Sequence, residues 1–152
     1  MSFVLHAERV LLLQHPHRGD RFRGQWNGIG GHVEAGEDIL DSARRELREE
    51  ATCEPEELTL RGVVHESGLL GHHHVLFVFL GRAASREVRS PEGLALRWQP
   101  LDRVRELPLV HDAAELLGRA RAEGPPFFSA LSYDGGDRPR AVARAQEGAR
   151  VG

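Results

Sequence analysis

Gly31-His32-Val33-Glu34-Ala35-Gly36-Glu37, then seven residues, then Arg45-Glu46-Leu47-Arg48-Glu49-Glu50 form the stretch that decides how this chain folds. Across residues 38–51 the apolar positions Leu40, Ala43, Leu47 and Ala51 recur at spacings of three and four, which predicts an amphipathic helix. At about 100° of turn per residue these four share a stripe within about 80°, and Glu46, Glu49 and Glu50 gather about 110° round from its centre. Like charges three and four residues apart destabilise a bare helix by about 0.2–0.5 kcal/mol per pair, so a cation is expected beside them. Gly30-Gly31, just upstream, can bring backbone carbonyls next to the same carboxylates. An all-oxygen donor set of this kind suits a hard divalent cation such as Mg²⁺, with Mn²⁺ as an alternative. A solvated acidic face balanced by Arg44, Arg45 and Arg48 carries the same pattern of charge.

Working outward, residues 3–14 are rich in Val and Leu with a polar step at Ala7-Glu8-Arg9, which reads as a strand or hairpin. Residues 15–25 have the composition of an exposed loop, and Gly28, Gly30 and Gly31 within 26–33 suit a strand close to other backbone or a tight turn. Residues 58–65 and 75–80 read as strands, with Gly68, Gly71 and His72-His73-His74 in their connection. A short strand at 94–98 and a short helix at 101–107 follow. Residues 110–122 place Ala113, Leu116, Leu117 and Ala120 on one face of a second helix, ended by Gly124-Pro125-Pro126. Residues 127–133 and 138–143 then flank Asp134-Gly135-Gly136-Asp137 as a hairpin. These elements predict one α/β domain over residues 1–144, with 145–152 a frayed tail.

The chain has 152 residues, 40% of them apolar, enough for one sizeable core. All 20 basic residues are Arg, against 23 acids, for a net charge of −3. A basic nucleic-acid coat is disfavoured, and no stable nucleic-acid partner is expected. The average hides a division, because residues 34–57 hold ten acids and three Arg, or −7, and the rest sum to +4. A single cysteine, Cys53, rules out an intrachain disulfide and points to a reducing, cytoplasmic setting. It reads as a small buried apolar residue rather than a nucleophile, since no activating base lies beside it. The longest apolar run, residues 75–80, is far below the ~20 residues a membrane helix needs.

Gly31, five residues, Glu37, seven residues, then Arg45-Glu46-Leu47-x-Glu49-Glu50 resembles the Nudix box. The chain departs from the family pattern at Thr52, where the box has its last Gly, with Cys53 in the apolar slot. That position falls at the helix C-terminus, where a left-handed cap favours Gly over a β-branched residue. The resemblance implies an α/β/α sandwich with a central mixed sheet, a box helix, and a C-terminal helix plus hairpin. It implies a metal-dependent hydrolase of nucleoside diphosphates linked to another group, with water attacking phosphorus. By position Glu46, Glu49 and Glu50 would hold the metal, Gly31 would add its carbonyl, and Glu49 would orient or deprotonate the water. Glu37 and Arg45 resemble the pair that braces the box. Glu92, in Ser90-Pro91-Glu92-Gly93, is the candidate for the further acid that a later loop supplies in many members. An exposed loop glutamate is the plainer account of it.

The box reads the diphosphate and leaves the attached group open. At Ser67-Gly68-Leu69-Leu70 the chain lacks the Pro of members acting on ADP-ribose and the Tyr of diadenosine-polyphosphate members. Gly24-Gln25-Trp26-Asn27-Gly28 is similar to the segment of oxidised-purine nucleoside triphosphate diphosphatases whose Asn helps read the base, a role that falls on Asn27. Asp112, beyond Trp98-Gln99-Pro100-Leu101, resembles their later acid. Trp26 and Trp98 as core aromatics, Asn27 as a turn former and Asp112 as a helix N-cap are the structural alternatives. Arg23, in the basic run with His15, His17, Arg18 and Arg21, is a candidate for substrate phosphates alongside Gly30 and Gly31; an ordinary basic loop has the same composition. His72-His73-His74 looks like a metal tract, yet consecutive strand residues alternate faces and cannot all reach one ion. The expected substrate is a purine nucleoside triphosphate, oxidised or not. ADP-ribose, a dinucleoside polyphosphate or a nucleotide sugar is the alternative, as is a non-catalytic nucleotide-binding regulator, and the protein is expected as a monomer or homodimer.

Overall fold

The computed structural model describes residues 1–15, 22–69, 71–135 and 139–143. The hairpin expected at the start is β1 (Ser2–His6) and β2 (Arg9–Gln14), paired antiparallel, with Ala7 at φ 50° in the turn. β3 (Trp26–Asn27) pairs with the far end of β2 at Leu13 and Gln14. Next come α1 (Ile39–Ala51), β4 (Glu57–Leu69), β5 (His72–Arg82) and β6 (Ala95–Pro100), then a 3-10 helix (Leu101–Glu106). The chain continues through α2 (Ala113–Arg121), β7 (Phe127–Tyr133) and β8 (Pro139–Ala143).

The strands form one mixed sheet in the order β3-β2-β1-β5-β4-β7-β8, with β6 also on β2. The β1–β5 and β4–β7 pairs are parallel and the others antiparallel. Alternate residues of β1 and β2 face opposite sides. Val4, Leu11 and Leu13 pack with Leu47, Ala51 and Cys53 of the α1 layer, while Phe3, Val10 and Leu12 pack with Leu116, Leu117 and Ala120 of α2. The result is the α/β/α sandwich, a layering that follows from the period-two alternation of strands.

Several elements differ from their expected extents. β4 and β5 run past the expected strands, so Gly68 and His72, His73 and His74 are strand residues and not a connection. A register shift between Ser67 and Leu69, with Gly68 at φ +79°, breaks the alternation that would have marked the longer strand. The triple histidine divides as alternation requires, with the His72 ring against His74 and the His73 ring stacked on His65. Leu40 is only half-buried, and Ser42 joins Ala43, Leu47 and Ala51 among the buried residues of α1. Among the described residues no helix is long and apolar enough to cross a membrane. The frayed-tail reading of 145–152, the roles weighed for His17, Arg18 and Arg21, and part of the 134–137 turn lie outside the described residues.

Candidate active site

α1 begins where Asp38 accepts hydrogen bonds from the N–H groups of Leu40 and Asp41 at 2.8 and 3.0 Å. That cap fixes the helix register and hence the position of its carboxylates. At the other end Thr52 takes the left-handed conformation, φ 47° and ψ 33°, despite its branched side chain. Its hydroxyl pairs with the backbone of Arg89, donating to the carbonyl and accepting from the N–H, both at 3.1 Å. Those bonds offset conformational strain and tie the loop after β5 to the helix end. Cys53 is buried, and burial pushes its thiol up to about 11, so it is a poor nucleophile.

Arg45 organises the acidic face. Its Nε and Nη2 donate to both oxygens of Glu37 at 2.9 and 3.1 Å, and its Nη1 donates to Glu46 at 2.8 Å and Glu49 at 3.0 Å. Nη2 also reaches the His32 carbonyl at 3.1 Å, joining the helix to the glycine-rich turn. These bonds hold the Glu37 carboxyl below the usual glutamate range. Glu50 turns the other way and accepts from the Gly30 N–H at 3.3 Å. Burial, and then the negative charge of Glu46, push Glu50 up to about 7.

Gly31 stands against Glu46, where an added methyl would lie 2.4 Å from Oε1. Glu46 and Glu50 therefore flank the glycine turn, with Glu49 exposed beside them. Oxygen donors of this kind fit a divalent cation, and Glu46, Glu49 and Glu50 are the residues able to hold one. Among the described residues, however, no three acidic, His or Cys side chains already stand at ligand spacing round one point. Arg45 Nη1 engages Glu46 and Glu49 together, and Glu50 turns instead to the Gly30 N–H.

Two clefts meet at this turn, sharing Met1, Gly30, Gly31 and Leu76. The smaller, about 350 Å³, brings together Asn27, Gly30, Gly31, Glu50 and Glu92. Glu92, though exposed, is close enough that its charge adds to the upward push on Glu50. Asn27 belongs to β3 rather than to a turn, and its Oδ1 accepts from the Gly28 N–H at 2.8 Å. The larger, about 510 Å³, runs between Ile39, Ala43 and Glu46 of α1 and residues 74–77 of β5. β1 pairs with β5 only from Phe79 onward, so that stretch borders the opening.

Asp112 stands at the N-cap position of α2 but makes no capping bond through its side chain, and it is buried. Burial raises its carboxyl, and its charge in turn raises Glu66. Trp26 is a buried core aromatic under the Arg97 guanidinium, whereas Trp98 is half-buried and donates to the Arg86 carbonyl. Arg23 is exposed and is not among the residues lining either cleft. Sequence reasoning missed Ser2 and Glu66, both lining the larger cleft. The available signal was an acid two residues after Val64, at an inward position of an otherwise apolar strand face.

Comparison with known proteins agrees with this architecture. The NUDIX domain family matches residues 1–119. The mouse oxidized purine nucleoside triphosphate hydrolase is 39% identical over 85 residues, covering 53% of this chain and 44% of that protein. Human 8-oxo-dGDP phosphatase NUDT18 is 33% identical over 122 residues, 76% of this chain and 35% of that protein, so the chain spans less than half the length of either relative. The crystal structure of a MutT protein from Bacillus halodurans superposes with a TM-score of 0.75 at 29% identity, covering 95% of this chain and 94% of that one. Nudix hydrolases act on nucleotide-linked small molecules and generally use a divalent metal. With the box carried by the glycine turn and α1, and the family match running over residues 1–119, the chain belongs to the Nudix family of pyrophosphohydrolases.

Proposed function

We propose that this protein hydrolyses a purine nucleoside triphosphate, oxidised or unmodified, to the monophosphate and diphosphate. The observation that carries the reading is the junction of the α1 carboxylates with two clefts at Gly30-Gly31, one of them containing Asn27. The phosphate chain passes along the Gly30-Gly31 turn and the base enters one of the two clefts; Asn27 lines the smaller, and Asp112, which lines neither, bears on the larger only through its charge on Glu66. The names of the mouse and human relatives support an oxidised purine as substrate.

Water oxygen forms a bond to phosphorus as the bridging P–O bond breaks, its proton passes to Glu49, and the leaving phosphate keeps the bonding electron pair. A bound Mg²⁺ or Mn²⁺ would neutralise phosphate oxygens and offset the charge that develops on them. Glu46 and Glu50 hold the charge of that site beside Gly31, Glu92 adds to it from its loop, and Glu37 fixes Arg45. Arg23, on its exposed turn, remains a candidate for the outer phosphates. The test is a Mg²⁺-dependent hydrolysis panel of oxidised and normal dNTPs, ADP-ribose, dinucleoside polyphosphates and nucleotide sugars, with products identified. Preferred release of monophosphate and diphosphate from purine triphosphates is expected. Preference for another class would replace the substrate, and tight binding without turnover of any would replace the enzyme by a regulator.

A further inference from the structure

Glu66 has no part in the hydrolytic chemistry above, yet it is only 8% exposed and lines the larger cleft. The Tyr133 hydroxyl donates to its Oε1 at 3.2 Å, and among the described residues Glu66 makes no ion pair. A buried carboxylate without a bonded cation is costly unless something donates to it. The groups facing it are the Tyr133 hydroxyl, the Asp112 carboxylate and the Met1 amino group, and burial followed by Asp112 pushes its carboxyl up to about 7. One phenol leaves most of the acceptor capacity of a carboxylate unused.

A second observation in the same cleft is independent of this one. Ser2 is 1% exposed, lines the cleft, and among the described residues its Oγ has no hydrogen-bond partner. Buried hydroxyls are nearly always satisfied, so an orphan that borders an opening marks a place for an absent polar group. Ile39, Ala43, Leu76 and Phe77 also line this cleft and supply apolar surface suited to a flat ring.

We propose that Glu66, with Ser2 in the same cleft, is a specificity-determining residue that selects a planar base carrying adjacent N–H donors, as on the guanine edge. A carboxylate accepts two parallel N–H bonds from such an edge, the arrangement that makes bidentate pairs strong and selective. Adenine and the pyrimidines that lack the paired donors leave the carboxylate unsatisfied, and that penalty rejects them. This inference rests on the purine triphosphate reading and names its base.

The test compares wild type with Glu66→Gln and Glu66→Leu in hydrolysis of dGTP, 8-oxo-dGTP and dATP. For the variants kcat/KM on the two guanine substrates is expected to fall 10- to 100-fold through KM, with kcat within about threefold and dATP nearly unchanged. Equal losses on all three, or no loss on dGTP, would overturn it. Wild-type titration with dGMP and N1-methyl-dGMP needs no variant, and a weaker grip on the methylated nucleotide is expected. If no purine triphosphate is cleaved, the proposed substrate fails, whereas the same titration still decides the base subsite; equal binding of the two nucleotides refutes it.

Discussion

Gly31 and Glu46 are in such close approach that the hydrogen on Gly31 is the largest substituent the site accepts, since a methyl carbon would lie 2.4 Å from Glu46 Oε1. Gly31 is not among the glycines with positive φ, so the constraint is steric and not conformational. Gly31→Ala should therefore leave folding nearly intact and displace the Glu46 carboxylate. A misplacement of about 1 Å is enough to cost on the order of 100-fold in rate. Steady-state kinetics with saturating Mg²⁺ should show that loss in kcat; wild-type kcat in the variant would remove Glu46 from the chemistry.

Among the described residues the Arg45 side chain makes six hydrogen bonds, two of them to Glu37, and this fork has a geometry that an ammonium cannot copy. Arg45→Lys keeps the charge and loses the planar span between Glu37, Glu46 and Glu49. We expect kcat to drop about 10- to 100-fold, the range typical of lost orienting partners around a metal site. The Mg²⁺ concentration for half-maximal rate should shift as well, because the guanidinium that now holds Glu46 and Glu49 apart from a cation is gone. A lysine variant with unchanged rate and Mg²⁺ response would show that charge alone suffices.

The box helix and the N-terminal hairpin were legible in the sequence because their signals are local: the three-and-four spacing of Leu40, Ala43, Leu47 and Ala51, and the Val- and Leu-rich residues 3–14 broken by one polar step; the sandwich itself came from the resemblance to the Nudix box. The acidic face was legible for the same reason, as helix geometry places Glu46, Glu49 and Glu50 from their spacing alone. What escaped depends on contacts between distant residues. Glu66 meets Tyr133 and Asp112 only because β4 pairs in parallel with β7 and α2 covers that face. Arg45 lies between Glu46 and Glu49, an outcome spacing permits but does not choose. The length of β4 was hidden by Gly68, whose bulge interrupts the period that identifies a strand.

Thr52 shows how a departure from the box is accommodated, and it separates two energies. Its left-handed backbone costs a residue with Cβ about 1–2 kcal/mol, while its hydroxyl makes two bonds to Arg89. Thr52→Val keeps the branched shape and the strain and loses both bonds. Thr52→Gly loses the same bonds and relieves the strain. Urea denaturation should place the glycine variant about 1–2 kcal/mol above the valine variant. Equal stability of the two would mean that the loop relaxes and no strain is held at this cap.

Glu66 also makes a prediction about stability that is separate from base selection. Its folded-state pKa of about 7 lies above the ordinary 4.5, first because of burial and then because of Asp112. As pH rises through 4.5 the unfolded chain loses this proton while the folded protein retains it until about 7, so stability falls across that window and levels off above it. Glu66→Gln removes the titration, and its amide oxygen still accepts from Tyr133. Glu50 and Asp112 are also raised and contribute a similar slope, but they are present in both proteins and largely cancel from the difference. Relative to wild type the glutamine variant should therefore gain about 1–3 kcal/mol between pH 5 and pH 8, at about 1.4 kcal/mol per pKa unit. Urea midpoints for both proteins at the two pH values measure it directly. A difference that does not change with pH would mean that Glu66 is ionised in the folded protein as freely as in the unfolded chain.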